Sequence, residues 1–175
     1  TYQNLKELLF GEESVDMEVV GNGWGLACNS IHFIDLYAYL TSVTAFELSI
    51  KDLEKNVLHS KREGFYETLG ELYGKTPKGD FKLICQDNVT ISCSINFKTP
   101  NYDIHINELE GFYKYHRDGN TVYTEHQTLY QSQLSGQNID ELIISDSSSL
   151  TSFQESCLIH IPFIKAMQAH FELSL

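Results

Sequence analysis

The sequence predicts an α+β domain, a large and mostly antiparallel sheet with helices packed on one face. Three observations carry that prediction. Residues 31–40 are apolar nearly all round a helical wheel, the pattern of a helix buried on most sides. From residue 66 to residue 127 short alternating segments are separated by turn residues, at the spacing of an antiparallel meander. A second helical pattern closes the chain, so the helices are segregated from the strands instead of alternating with them. The 175 residues, 42% of them hydrophobic, suit one domain with a sizeable core.

In chain order, residues 4–10 place Leu5, Leu8 and Leu9 on one side of a short helix that stops at Gly11. Residues 15–20, VDMEVV, alternate as a strand. They deliver the chain to a turn spaced by Gly21, Gly23 and Gly25, where Trp24, the only tryptophan, can wedge against the core. The apolar helix follows, with Asn29 or Ser30 as its cap. Phe46, Leu48 and Ile50 mark a half-buried strand over 44–53, and 56–64 reads as a loop. Strands are predicted over 66–73, 81–86, 89–97, 102–109, 111–116 and 122–127. Thr76-Pro77-Lys78-Gly79, Asp87-Asn88 and Asp118-Gly119-Asn120 supply turns between them. Residues 129–144 are polar and weakly patterned, and 145–149 is a Ser/Asp loop. Thr151-Ser152-Phe153-Gln154-Glu155 then offers a capping start to a final helix, whose apolar positions are Phe153, Leu158, Ile161, Ile164, Met167 and Phe171. Pro162 within it should kink the helix or mark its true start.

The chemistry-bearing stretch is GNGWGLACNSIHFIDLYAYL, residues 21–40. His32 and Asp35 lie three residues apart on the predicted helix, so they leave from neighbouring points of one face. They either satisfy each other in the core or form an acid–base pair, since a carboxylate beside an imidazole can orient it for proton transfer.

The run Gly23, Trp24, Gly25, Leu26, Asn29, His32, Phe33, Ile34, Asp35, Leu36, Tyr39, Leu40 resembles the central motif of the Gfo/Idh/MocA family (glucose-fructose oxidoreductase, inositol dehydrogenase, rhizopine catabolism). The resemblance implies the C-terminal domain of a nicotinamide-dependent sugar oxidoreductase, of the dihydrodipicolinate-reductase-like type. It implies that His32 is the proton-transfer residue and Asp35 the downstream acid. Where the family has an Asp four residues before its His, this sequence has Cys28, with Asn29 next to it; Asn29 then meets a substrate hydroxyl, with Trp24 and Cys28 beside the substrate. It further implies that residues 1–175 form one substrate-binding and oligomerisation domain, with a Rossmann domain and its catalytic Lys upstream. A second subunit would pair with the open sheet face as a homo-oligomer.

What the chain lacks is also informative. No GxGxxG follows a strand, so no dinucleotide is expected on these residues alone; the resemblance implies NAD or NADP in the full-length protein. A net charge of −12 argues against nucleic acid and anionic membranes as partners. No apolar run approaches the roughly 20 residues of a bilayer span. Cys28, Cys85, Cys93 and Cys157 lie in apolar stretches without CxxC spacing, which reads as buried free thiols in the cytoplasm. His105, His116 and His126, with Glu108 or Glu125, have no metal-ligand spacing, so no metal is expected. Tyr102, Tyr113, Tyr115, Tyr123 and Tyr130 read as sheet packing more than as a sugar-stacking surface. Lys98 and Arg117 read as solvated charges, and His160 and His170 as surface or capping residues. The expected function is substrate binding and dimerisation for an NAD(P)-dependent oxidoreductase of a sugar or nucleotide sugar. The alternative is a non-catalytic scaffold or ligand-binding domain of the same shape.

Overall fold

The computed structural model of the chain describes residues 2–60, 62–88, 90, 93–125, 131–145 and 150–174. In chain order the elements are α1 (Tyr2–Leu9), β1 (Asp16–Asn22), α2 (Leu26–Thr41), β2 (Glu47–Leu53), β3 (Leu58–His59), β4 (Tyr66–Glu67) and β5 (Gly70–Thr76). They continue as β6 (Gly79–Gln86), β7 (Ser94–Lys98), β8 (Asp103–Asn107), β9 (Phe112–Arg117), β10 (Asn120–Glu125), α3 (Gln131–Ser145) and α4 (Phe153–Ser174).

Eight strands form one sheet in the order β10-β9-β8-β7-β1-β6-β5-β2. β1 runs parallel to β6 and antiparallel to β7, and every other neighbouring pair is antiparallel. The meander is therefore split: β1, from the start of the chain, is inserted between β6 and β7. Alternation decides the faces. In β1, Met17, Val19 and Gly21 are buried, whereas Asp16, Glu18 and Asn22 are exposed. The inward set joins Leu83, Phe97, Ile104 and Ile106 beneath the helices, where α2 supplies Leu26, Ile34, Tyr37 and Leu40. α1 and α4 both pack on α2, with Leu5, Leu9, Ile159 and Phe163 closing the core. On the open face, pairing aligns Tyr73, Lys82, Glu18, Asn96, His105 and Lys114 in one polar row. That row lets the face meet water without a covering layer.

Turn chemistry works as the sequence predicts where the signal is local. Arg117 pairs with Asn120, and the two residues between, Asp118 and Gly119, have φ of 50° and 77°, as a type I′ hairpin requires.

Several expectations are corrected. The central helix starts at Leu26, behind Gly25, with no side-chain cap there. Asn29 and Ser30 lie inside it, donating to the carbonyls of Trp24 (2.5 Å) and Leu26 (2.6 Å). The strand expected over 66–73 breaks at Thr68, so that β4 pairs with β3 from the expected loop and β5 joins the large sheet. The strand over 89–97 is seen as β7 only, with residues 89, 91 and 92 outside the described residues, as are residues 126–130 and 146–149. The weakly patterned segment 129–144 contains most of α3, whose Ile139, Leu142, Ile143 and Ile144 are exposed. α4 continues through Pro162, and the capping start expected over residues 151–155 is a capping box made by Ser152 and Glu155. Its buried stripe is Ile159, Phe163, Met167 and His170, whereas Phe153, Leu158, Ile161 and Ile164 are exposed. Cys28 is exposed, not buried.

Candidate functional site

The strand-to-helix turn is fixed by close packing and left-handed glycines. A Cβ on Gly21 would lie 2.8 Å from the Cα of Cys93, and Gly23 and Gly25 have φ of 50° and 80°. Trp24 is held at both ends: its Nε1 donates to the carbonyl of Ile84 at 2.8 Å, and its ring meets Phe33 edge-on at 5.2 Å. The first turn of α2 is closed from outside the helix. The Glu67 carboxylate on β4 accepts the Ala27 N–H at 2.9 Å, which satisfies an orphan donor and places negative charge at the positive end of the helix dipole.

Trp24 and Asn29 form a ridge between two clefts. On one side His32, exposed on α2, lines a cleft of about 420 Å³ together with Phe33 and Leu36. Tyr2, Cys93, Ile95 and Glu108 complete its lining. The Tyr2 hydroxyl donates to Glu108, and burial followed by that carboxylate pushes the Tyr2 phenol upward, so it stays protonated. On the other side Cys28, Glu67, His59, Arg62 and buried Cys85 line a cleft of about 430 Å³. The Cys28 thiol donates to Glu67; this bond first, then burial, pushes it up to about 11. Burial also raises Cys85, opposed by the backbone N–H groups of Gly25, Trp24 and Leu26 that point at its sulfur.

Of the residues singled out in the sequence, Trp24, Asn29 and His32 are brought together. Cys28 faces the opposite cleft. Asp35 is turned toward α4, where Thr151 Oγ1 donates to it at 3.3 Å, in a third cleft of about 260 Å³ lined also by Lys6, Tyr39 and Glu155. Among the described residues no hydrogen bond or ion pair joins His32 to Asp35. Three residues along an α-helix advance about 300°, so the two side chains diverge by about 60°, enough to place them in separate clefts.

The other candidates are occupied structurally. His105 bonds its cross-strand neighbour Asn96 and His116 bonds Thr121, both at 2.8 Å; His126 and Tyr130 lie outside the described residues. Tyr102 and Tyr115 pack edge to face, and Tyr123 stacks on Phe112. Lys98 lines an open-face hollow with Asp16 and Asp103, and Arg117 lies over the Tyr102 ring. His170, expected at the surface, is 5% exposed and bonds Thr68 at 3.1 Å. Sequence reasoning missed Tyr2 and Glu67 as site residues and weighed Glu108 only as a metal ligand. No local spacing links any of the three to His32.

No family model matches this sequence, and no curated protein matches it either. Solved structures do. A dehydrogenase (MviM) of Clostridium difficile is 9% identical, with a TM-score of 0.67 over 96% of this chain and 58% of its own. UDP-N-acetylglucosamine 3-dehydrogenase GnnA of Acidithiobacillus ferrooxidans is 9% identical, with a TM-score of 0.66 over 97% of this chain and 56% of its own. A Gfo/Idh/MocA family oxidoreductase of Vibrio cholerae is 15% identical, with a TM-score of 0.56 over 99% of this chain and 58% of its own. The chain thus spans less than two thirds of the structures it matches. It has the fold of the C-terminal domain of the Gfo/Idh/MocA oxidoreductases, which bears out the resemblance read from residues 23–40 at the level of architecture.

Proposed function

We propose that this chain is the substrate-binding and oligomerisation half of a nicotinamide-dependent oxidoreductase acting on a sugar or nucleotide sugar. The observation that carries this reading is His32. On a fold shared with dehydrogenases, an exposed imidazole on an otherwise largely apolar helix lines a solvent-open cleft beside an amide and an indole. The GnnA neighbour, by its name, acts on a nucleotide sugar, which favours that substrate class here.

The residues present do not fit the phosphates of NAD or NADP. The natural anion site, the start of α2, is filled by the Glu67 carboxylate and the Cys85 sulfur. We therefore assign the cofactor to a Rossmann unit elsewhere in the complete protein. The chain's own part is to bind the sugar and handle its proton. His32 accepts the proton of a bound hydroxyl, or returns one in the reverse direction. Asn29 and Trp24 fix the ring of the sugar, the amide by hydrogen bonding and the indole by stacking. Asp35 serves the scaffold by tying α2 to the start of α4 through Thr151.

The polar open face, with Phe112 and Tyr123 stacked on it, is the surface we assign to a second subunit. Among the described residues no helix is long and apolar enough to cross a membrane, and all four cysteines are unpaired. These features suit a reducing cytoplasm.

In the complete protein, His32→Ala should lower kcat by about 10²–10⁴-fold, the usual share of general acid–base catalysis, with a smaller change in sugar KM. Turnover left intact at saturating sugar refutes the assignment. One observation favours the scaffold reading instead: the acid expected four residues before the His is Cys28, and it faces the other cleft. A complete protein without a dinucleotide-binding unit would decide for the scaffold.

A further inference from the structure

We propose that the cleft lined by Cys28 and Arg62 is a phosphate subsite: Arg62 holds a phosphate borne by the sugar, whose ring lies across Trp24 and Asn29 at His32. The proposal rests on the sugar-binding reading above and narrows it to phosphorylated or nucleotide-linked sugars.

Three features support it. The first is charge. In a chain of net charge −12 with 12 Lys and Arg, residues 61 and 62 are the only place where two of these adjoin, and His59 lies just before them. Lys61 is outside the described residues, whereas His59 and Arg62 both line the cleft. Against so acidic a background, a local cluster of cations gathers anions where the rest of the surface repels them.

The second is a fixed support. Arg62 sits in the connection between the paired strands β3 and β4. There the Ser60 N–H donates to the Phe65 carbonyl at 2.9 Å, and the Phe65 N–H to the Arg62 carbonyl at 3.2 Å. Tyr66 anchors the hairpin, its ring 5.5 Å from that of His59 and 6.3 Å from that of Phe171 on α4. The guanidinium charge is felt inside the cleft: the Cys28 thiol, raised by the Glu67 bond and by burial, is pulled partway back by Arg62.

The third is reach. Trp24 and Asn29 line both clefts, so one ligand can cross the ridge and keep contact with protein on either side. At about 430 Å³ and 420 Å³, each cleft has room for one part of such a ligand. Glu67 is committed to the start of α2, where its carboxylate accepts from the Ala27 N–H and the Cys28 thiol. A phosphate approaching from the hairpin meets the guanidinium, whose paired N–H groups match two phosphate oxygens. That contact is made by a side chain and does not call on the helix start that a dinucleotide pyrophosphate needs.

The test uses the complete protein and calorimetry with N-acetylglucosamine, its 1-phosphate and UDP-N-acetylglucosamine, with NADP titrated separately. The wild type should bind at least one phosphorylated sugar about 10-fold or more tightly than the free sugar, with an affinity that falls as salt is raised. Arg62→Gln should weaken that sugar by about 10- to 100-fold, the range of a charged hydrogen bond, and leave the free sugar within about twofold. Arg62→Lys, which keeps the charge and loses the fork, should fall between them. Unfolding midpoints of both variants should match the wild type. Losses shared by the 1-phosphate and the UDP-sugar assign the subsite to a single phosphate, and a loss confined to the UDP-sugar assigns it to the diphosphate. Phosphorylated sugars that bind no better than the free sugar, or an Arg62→Gln variant that keeps the wild-type preference, overturn the proposal and leave the sugar reading standing. A loss confined to NADP does the same, because it gives Arg62 to the cofactor. Failure of the wild type to bind any of the three sugars overturns both.

Discussion

Glu67→Gln should make Cys28 reactive. In the native chain the thiol donates to the Glu67 carboxylate, which with some burial pushes it from 9.0 to about 11. At pH 8 the ionised fraction is then about 0.1%, against about 10% for a thiol without that neighbour, a ratio of about one hundred. The more basic thiolate is the better nucleophile. With a Brønsted coefficient of about 0.4–0.5, that advantage recovers about tenfold and leaves a net difference of about tenfold in rate. The residual burial in the variant reduces it to roughly five- to tenfold. Because the Gln amide oxygen can still accept the Ala27 N–H, the start of α2 survives the change. Iodoacetamide labelling at pH 8, resolved by peptide mass spectrometry, reads the rate at Cys28, with partly buried Cys157 as the internal reference. Native Cys28 labelling as fast as an unhindered free thiol, or an unchanged rate in Glu67→Gln, would refute the role given to the carboxylate.

Two further outcomes concern stability. A Cβ at Gly74 would run into the ring of Phe81, which Tyr37 and Phe46 hold at centroid separations of 5.4 Å and 5.8 Å. Gly74→Ala should therefore cost about 1–3 kcal/mol, or about 2–12 °C in Tm, and pairing it with Phe81→Leu should cost less than the two singles added; simple additivity would contradict the clash. Burial lowers His170 below its ordinary 6.5, partly offset by the Glu54 backbone, so the unfolded chain takes up that proton first. Stability then falls as the pH drops through about 6.5 and levels off once the folded form also titrates. Urea midpoints at pH 7.5 and pH 5.5 should draw closer together in His170→Gln than in the wild type, and an equal gap in both would rule out His170 as the cause.

Local patterns were legible, and what depended on distant pairing was not. The alternation of residues 15–20 and the apolar wheel of residues 31–40 each report their own surroundings, so β1 and α2 follow from them directly. The place of β1 between two strands from much later in the chain has no local signature. The start of α2 differs from the expectation because Gly25 precedes it without a side-chain cap and its Ala27 N–H is met by Glu67, which belongs to a different element. α4 carries apolar residues on two sides, and periodicity alone selects Phe153, Leu158, Ile161 and Ile164 as readily as the true inner stripe of Ile159, Phe163 and Met167. Trp24, Asn29 and His32 line one cleft, and their nearness is legible because they share one short run. Asp35 was assigned to them on spacing, but a 60° divergence suffices to change clefts when a helix is flanked on both sides. Glu108 and Tyr2 reach the cleft from opposite regions of the chain, which no motif of this length can record.

The placement of β1 has a kinetic consequence. Met17 sits opposite both Phe81 and Phe97, so the strand that feeds the Trp24 turn finds its partners only after most of the polypeptide is available. Closing such wide loops is slow, and neither sheet half has a complete edge without this insertion. In a refolding time course, emission from the lone indole should reach its native value in the last phase, together with the final protection of the amides in β6 and β7, because the ridge over the cleft cannot form ahead of the strand beneath it.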